Sequence, residues 1–385
     1  MKVTKTFLLY CSVAISASGL SCMGNAGDGD SSYVANGQPI TSELTSFYVD
    51  TLSADLESPW GMAWLPDGRL LVTERKGEIW LFEDDRYTGE KLTGFPTVYD
   101  RGQGGLLDIQ AHPDVESNRW VYATYAQPGA GGGGTALVRF HITGNDVTDL
   151  ETLYQTTPLS SAGVHFGSRI VFDNDGYVYF STGERGVKEN AQDLSNDLGK
   201  IHRLHDDGRI PADNPFVATP GAKASIWSYG HRNVQGMAYD STHNIIYATE
   251  HGPRGGDELN VIEKGKNYGW PAITYGIDYS GAIISDLVKM EGMEQPIHYW
   301  TPSIATSGLL FYTGEKFPAW QGNLFSGALA QMHIARITLK NGNYADGETL
   351  LQGVGRVRHI AQGPNGFIYV LTESPGMLLR LRPAE

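Results

Sequence analysis

Six copies of one hairpin pattern, abundant glycine and aromatic residues, and no long stretch of helical periodicity predict an all-β fold. The architecture they point to is a six-bladed β-propeller with four antiparallel strands per blade. The chain has 385 residues, among them 48 Gly, 20 Tyr, 13 Phe and 8 Trp. Aromatic and β-branched side chains fit pleated strands, and glycine supplies the positive φ of tight turns. Each copy runs as an apolar strand, a turn with Asp or Asn and usually Gly, then a strand ending near Thr, Ser or Gly. The copies are residues 61–73, 107–124, 169–182, 236–249, 308–327 and 359–372. Their turns carry Asp67-Gly68, Pro113-Asp114, Asp175-Gly176, Asn244, Asn323 and Asn365-Gly366. Asp-Gly and Asn-Gly between alternating apolar runs are strong hairpin signals. Each copy is read as the inner hairpin of one blade, with the residues between copies forming outer strands and long loops. Trp80-Leu81-Phe82 and Leu378-Leu379-Arg380-Leu381 then belong to outer strands of the first and last blades. Closing the ring between these blades removes exposed sheet edges.

The formal net charge of −14 excludes a nucleic-acid partner, since nothing would neutralise phosphates. Lys2 and Lys5 precede an apolar run from Phe7 to Leu20, too short to span a bilayer, as in a signal peptide over residues 1–21. Gly19-Leu20-Ser21-Cys22 is similar to a lipoprotein signal with Cys22 acylated, and cleavage after Ala26 is the competing reading. Either way the protein is exported, to the periplasm or to a membrane held only through that N-terminal anchor. Residues 22–45 are small and polar and read as a flexible tether, so the propeller spans 46–385. Cys11 and Cys22 are the only cysteines, which leaves the folded body without thiol or disulfide chemistry.

Five clusters lie next to the inner strands, where a propeller places its chemistry. Arg101-Gly102-Gln103-Gly104-Gly105 precedes the second copy and has no βαβ unit around it, so it is no dinucleotide loop. Gly163-Val164-His165-Phe166-Gly167 opens the third copy, and an imidazole at a strand start is a candidate general base. Gly230-His231-Arg232-Asn233 leads into the fourth. Beyond it, His251-Gly252-Pro253-Arg254-Gly255-Gly256-Asp257-Glu258 and Asn267-Tyr268-Gly269-Trp270-Pro271 combine carboxylates with a glycine-rich loop, the oxygen donors calcium takes. Arg356-Val357-Arg358 alternates along a strand and puts two guanidiniums on one face. Together the clusters imply a small polyanionic ligand, a metal and a base. Zinc-protease, nucleophile-elbow and P-loop motifs are absent from the sequence.

In order and spacing, His165-Phe166-Gly167, Gly230-His231-Arg232-Asn233-Val234-Gln235-Gly236, Glu250 through Glu258, and Gly265 through Pro271 resemble the soluble quinoprotein glucose and aldose sugar dehydrogenases. The resemblance covers nearly all of residues 50–382. It implies oxidation of an aldose sugar with pyrroloquinoline quinone and calcium, and an external electron acceptor, a quinone or a cytochrome, in a monomer or homodimer. By the same resemblance, His165 is the proton acceptor and Glu184 the carboxylate that orients it. Arg232 stabilises developing charge. Gln103, Arg232, Asn233 and Tyr279 contact the quinone, as does the stretch Ala328-Leu329-Ala330, and Arg356 and Arg358 pair with its carboxylates. The carbonyls of Gly252 and Pro253 hold calcium, and Glu258 with the Tyr268 carbonyl form a further calcium site. Two positions depart from the family. Ala330 stands where a lysine is usual, and Val164 where Asp or Asn precedes the histidine. A calcium-dependent lactonase and a non-catalytic binding propeller stay open as alternatives.

Overall fold

The computed structural model of the protein describes residues 37–384. The signal segment 1–21, Cys22 and the tether up to residue 36 lie outside them. Six antiparallel sheets follow one another along the chain. The first blade is Pro59–Trp64, Leu70–Glu74, Glu78–Glu83 and Arg86–Lys91. The second is Leu106–Ala111, Val121–Gly129, Gly132–Thr143 and Asp146–Gln155. The third is Ile170–Phe172, Val178–Thr182, Lys200–Leu204 and Ile226–Tyr229. The fourth is Val234–Asp240, Ile245–Glu250, Asp257–Ile262 and His298–Trp300. Thr306–Phe311, Leu324–Ala328, His333–Lys340 and Asn343–Leu350 make the fifth. The sixth takes Val357–Gln362, Ile368–Glu373 and Gly376–Pro383, then Ser46–Leu56 from the other end of the chain. The fold is thus the six-bladed propeller expected, and every predicted hairpin falls on the first two strands of a blade.

Second strands such as Leu70–Glu74, Val178–Thr182 and Leu324–Ala328 are buried at every position. Successive residues of a strand point to opposite faces, so a sheet covered on both sides needs apolar residues throughout. The core accordingly divides into clusters, most of which straddle two neighbouring blades. Leu81, Ile109 and Phe140 join the first to the second. Tyr312, Trp320, Val357 and Leu379 join the fifth to the sixth.

A Thr or Ser at or next to the end of each of the first four repeats has a second task. Thr73 Oγ1 donates to the Leu107 carbonyl at 2.6 Å, Ser181 Oγ to Val234 at 3.0 Å, and Thr249 Oγ1 to Ser307 at 3.1 Å. Thr124 Oγ1 reaches the Ser168 carbonyl in the same way, and Ser307 Oγ, just before the fifth repeat, reaches that of Val357. Each bond ties one blade to the next inner strand and contributes about 1 kcal/mol net.

The ring closes by pairing Ser46–Leu56 with Gly376–Pro383 in the register Phe47↔Pro383 and Val49↔Leu381. Phe47 is fully buried against Trp320, with ring centroids 5.4 Å apart. Pairing reaches back to Ile40–Thr41, within the stretch read as tether, so the sixth sheet has a short fifth strand. Along the axis the channel is blocked midway. Arg169 Nη1 donates to Asp108 Oδ1 at 2.8 Å and meets His359 Nδ1 at 2.9 Å, while its guanidinium lies 4.1 Å over the Trp60 ring. On one side of this plug opens a cavity of about 470 Å³ that draws on the inner strands of all six blades. On the other side lie the loops that enter the inner strands.

Candidate active site

These entering loops carry His165. Its backbone is left-handed, φ 55°, with Gly167 and Ser168 at 64° and 85°. A non-glycine residue held there costs on the order of 1–3 kcal/mol and persists only when its surroundings fix it. Gln103 Oε1 accepts the His165 N–H at 2.8 Å, and Asn233 Oδ1 accepts the Gly167 N–H at 3.0 Å. Two glycines make room. A Cβ on Gly183 would lie 2.1 Å from the His165 carbonyl oxygen, and one on Gly102 would lie 2.2 Å from that of Gly163. The Gln103 loop and the His165 loop therefore interlock backbone to backbone.

The imidazole Nδ1 meets Glu184 Oε1 at 2.6 Å, with the two side chains 13% and 3% exposed. A carboxylate partner places the proton on Nδ1 and leaves Nε2 with a lone pair. Burial first, then the charges of Arg232 and Arg185, hold the imidazole below its usual 6.5 against the pull of Glu184. The ring is thus held neutral and oriented, with Nε2 able to accept a proton. His231 is a foil to it. His231 is fully buried, with Nδ1 2.9 Å from Glu250 and Nε2 2.9 Å from the Ser228 hydroxyl, and it stacks on Tyr268. Both its nitrogens are spent, so its role is structural.

Beside His165 is a cavity of about 110 Å³ walled by Trp60, Gln103, Phe166, His251, Arg356 and Arg358, with Arg75 and Glu373 completing the charged lining. Three guanidiniums face one carboxylate. Arg358 donates from Nε to Glu373 Oε2 at 2.9 Å and from Nη1 to Gln235 at 2.8 Å. Arg356 Nη1 reaches the Leu329 carbonyl at 3.2 Å, and Arg75 Nη1 that of Gly102 at 2.7 Å. Arg75 Nε is buried without a partner, an orphan donor that an anion would satisfy. His251 donates Nε2–H to the Thr306 carbonyl at 2.6 Å. Burial, then the charges of Arg232 and Arg358, push it down to about 3, so it stays neutral.

Arg232 stands apart from the arginine pair. Its Nη1 donates to the Gly252 carbonyl at 2.8 Å and to that of His251 at 3.2 Å. It lines a neighbouring hollow of about 10 Å³ with Glu250, Glu258 and Tyr268. Burial, then the charge of Glu250, raises the Glu258 carboxyl to about 8, a strain that a cation would relieve. Among the described residues no three His, Cys, Asp or Glu side chains gather as a ready metal cluster, so an ion here would draw on carbonyls. The Pro253 carbonyl accepts from Ser303 Oγ at 3.3 Å, and both it and Gly252 keep a lone pair to spare. Asp257 fixes this loop by accepting from the N–H groups of Gly252 at 2.9 Å and Ala305 at 2.6 Å.

The structure thus brings together Gln103, His165, Glu184, Arg356, Arg358 and Leu329. Asn233, Arg232, Gly252, Pro253, Glu258 and Tyr268 adjoin them. Ala328 is buried in its strand, Ala330 is exposed, and Tyr279 is 71% exposed on a loop that the Arg254–Ile277 bridge draws back toward Pro253. Sequence reasoning assigned no role to Arg75, His251 or Glu373. The repeats could have found them, because each stands one or two places after the terminal Thr of its copy (Thr73, Thr249, Thr372).

The sequence profile of the glucose/sorbosone dehydrogenases matches residues 56–380. The chain belongs to this family. Within it, the aldose sugar dehydrogenase YliI of Escherichia coli is 43% identical over 343 residues, covering 87% of this chain and 92% of that protein. The crystal structure of the soluble aldose sugar dehydrogenase from Escherichia coli in the apo-form has a TM-score of 0.84 at 40% identity, over 88% of this chain and 100% of that one. The PQQ-bound form of the aldose sugar dehydrogenase from Streptomyces coelicolor has a TM-score of 0.73 at 30% identity, over 87% and 98%. As a glucose/sorbosone dehydrogenase family member, the chain carries its His–Glu pair and its arginine cavity on the propeller those structures share.

Proposed function

We propose that this protein oxidises the anomeric hydroxyl of aldose sugars to the lactone, using bound pyrroloquinoline quinone and calcium and an external electron acceptor. The observation that carries the reading is the His165–Glu184 pair, desolvated and with Nε2 free, set beside a cavity where three guanidiniums face one carboxylate. Arg75, Arg356 and Arg358 suit the carboxylates of the quinone, and the partnerless Arg75 Nε supports that fit. The carbonyls of Gly252 and Pro253 would hold its calcium, while Glu258 and the Tyr268 carbonyl would hold a second. When bound, the quinone supplies the hydride acceptor and calcium a Lewis acid that makes it more electrophilic.

The protein's own part is positional and protonic. His165 Nε2 accepts the proton of the anomeric hydroxyl, and Glu184 stabilises the imidazolium that results. Such assistance gives about 10²–10⁴-fold in rate. Arg232, fixed on the Gly252 carbonyl, presents positive charge where the reacting oxygens gather it. The apolar run Phe7–Leu20 and Cys22 support export of this chemistry to the periplasm or to a lipid anchor facing it. The test is to add quinone and calcium to purified apoprotein and assay a sugar panel with a dye acceptor. Sugar-dependent dye reduction requiring both additions is expected, and its absence for every aldose overturns the reading.

A further inference from the structure

Arg185 follows Glu184 directly. Its side chain is 2% exposed, yet among the described residues no carboxylate lies within ion-pair distance of it. Carbonyls take its fork instead. Nη1 donates to Val164, and Nη2 to Ala162 at 2.6 Å and to Ser160 and Gly133 at 3.3 Å each. The guanidinium carbon sits 3.4 Å from the centre of the Phe166 ring. One side chain therefore gathers residues 160–164, the run that feeds into His165, and also covers the ring that follows.

An unpaired buried cation is expensive, because desolvation is not offset by a counter-ion. Here Nε has no partner at all, and burial holds the guanidinium down to about 10. Methionine or leucine would fill the space at lower cost. What an apolar residue would lack is the fork and the charge, and both are directed at the same neighbour. The charged and titratable groups facing His165 are Glu184, which favours the imidazolium, and Arg232, Arg185 and His251, of which the two arginines oppose it.

We infer that Arg185 is the positioning residue of the catalytic base: its fork fixes the left-handed backbone on which His165 stands, and its charge weights that imidazole toward the neutral, proton-accepting form. The inference rests on the proposed role of His165, and the experiment separates the two. Arg185→Lys and Arg185→Met are made in the full chain. His165 ring protons are followed by NMR across pH in the apoprotein, assigned with His165→Gln, and kcat and KM are measured with quinone and calcium added. Arg185→Lys keeps the charge and loses the fork, so kcat falls roughly tenfold, sugar KM stays within about threefold and the titration stays where it was. Arg185→Met loses both, so kcat falls about 100-fold and the His165 midpoint moves to higher pH together with the acid limb of the rate profile. If Arg185→Met titrates like the unmodified protein and keeps kcat within about threefold, the inference is overturned. Should Arg185→Met not fold, an Arg185→Lys protein with unchanged kcat overturns the positioning role alone. If the unmodified protein oxidises no sugar, the dehydrogenase reading fails, while an unmoved His165 titration in Arg185→Met would still overturn the electrostatic role.

Discussion

Replacing Gly183 by alanine tests how tightly His165, the proposed base, is held. The added Cβ would lie 2.1 Å from the His165 carbonyl oxygen, 2.4 Å from its carbonyl carbon and 2.8 Å from its Cβ. Contacts below 3.0 Å essentially never occur, so His165 must retreat by about 0.9 Å before the contact is tolerable. It has little freedom to do so. Its N–H is on Gln103, its Nδ1 is 2.6 Å from Glu184, and Arg185 holds the residues before it. A displacement near 1 Å at a reacting group costs on the order of 100-fold in rate. Gly183 itself is outside the left-handed region, so alanine brings no backbone strain and the effect is contact alone. Overpacking of this kind destabilises by about 1–3 kcal/mol, which leaves a domain of this size folded. Steady-state dye reduction at saturating quinone, calcium and sugar should show kcat down about 100-fold, with a modest fall in Tm. A kcat within about threefold of the unmodified protein would refute the claim that the backbone of His165 sets the geometry of catalysis.

Further outcomes follow from the same geometry. His165→Gln should leave quinone binding nearly intact while removing most turnover, about 100-fold or more by the worth of a general base; survival within about tenfold excludes it as the base. Its imidazole must be neutral to accept a proton, and because burial and two arginines hold it below 6.5, kcat should persist as pH falls through 6.5 and decline only below it. An acid limb above 6.5 would contradict this. Arg358→Ala should weaken quinone binding about ten- to 100-fold, since charge-assisted hydrogen bonds contribute roughly 1.5–3 kcal/mol each, and Ala330→Lys should tighten it; titration of apoprotein at fixed calcium reads both. Glu258→Gln should abolish most of the calcium-induced rise in Tm, and an undiminished rise would place the ion elsewhere.

The inner hairpins were legible because their signals are local. An Asp-Gly turn between apolar strands specifies itself within about a dozen residues, and six such copies count the blades. The ring closure was only half legible. Ser46–Leu56 alternates like any strand, but its partner is more than 300 residues away and no local feature names it. The site divides in the same manner. His165 and Glu184 sit in Gly-flanked motifs beside repeat ends and could be picked out. Asp108, Arg169 and His359 come from the second, third and sixth blades to plug the axis, and each looks alone like a stray polar residue in a strand. The resemblance named Arg232, Arg356 and Arg358 alike as contacts of the quinone. The structure sets Arg232 one hollow away, with its Nη1 held by the Gly252 and His251 carbonyls.

The strand that seals the sixth blade also sets the order in which the molecule can be completed. Ser46–Leu56 is made early in synthesis and its partner Gly376–Pro383 last, with ion pairs such as Asp50–Arg380 spanning 330 positions. Bringing the ends of such a chain together costs about 5 kcal/mol in loop-closure entropy, which the burial of Phe47 and the recovered strand pairing must outweigh. A polypeptide stopped short of Gly376 retains five sheets but leaves Ser46–Leu56 unpartnered and an open seam between the sixth and first sheets. Synthesis through Pro383 is therefore what makes a closed ring possible, and a product truncated before it keeps an exposed seam.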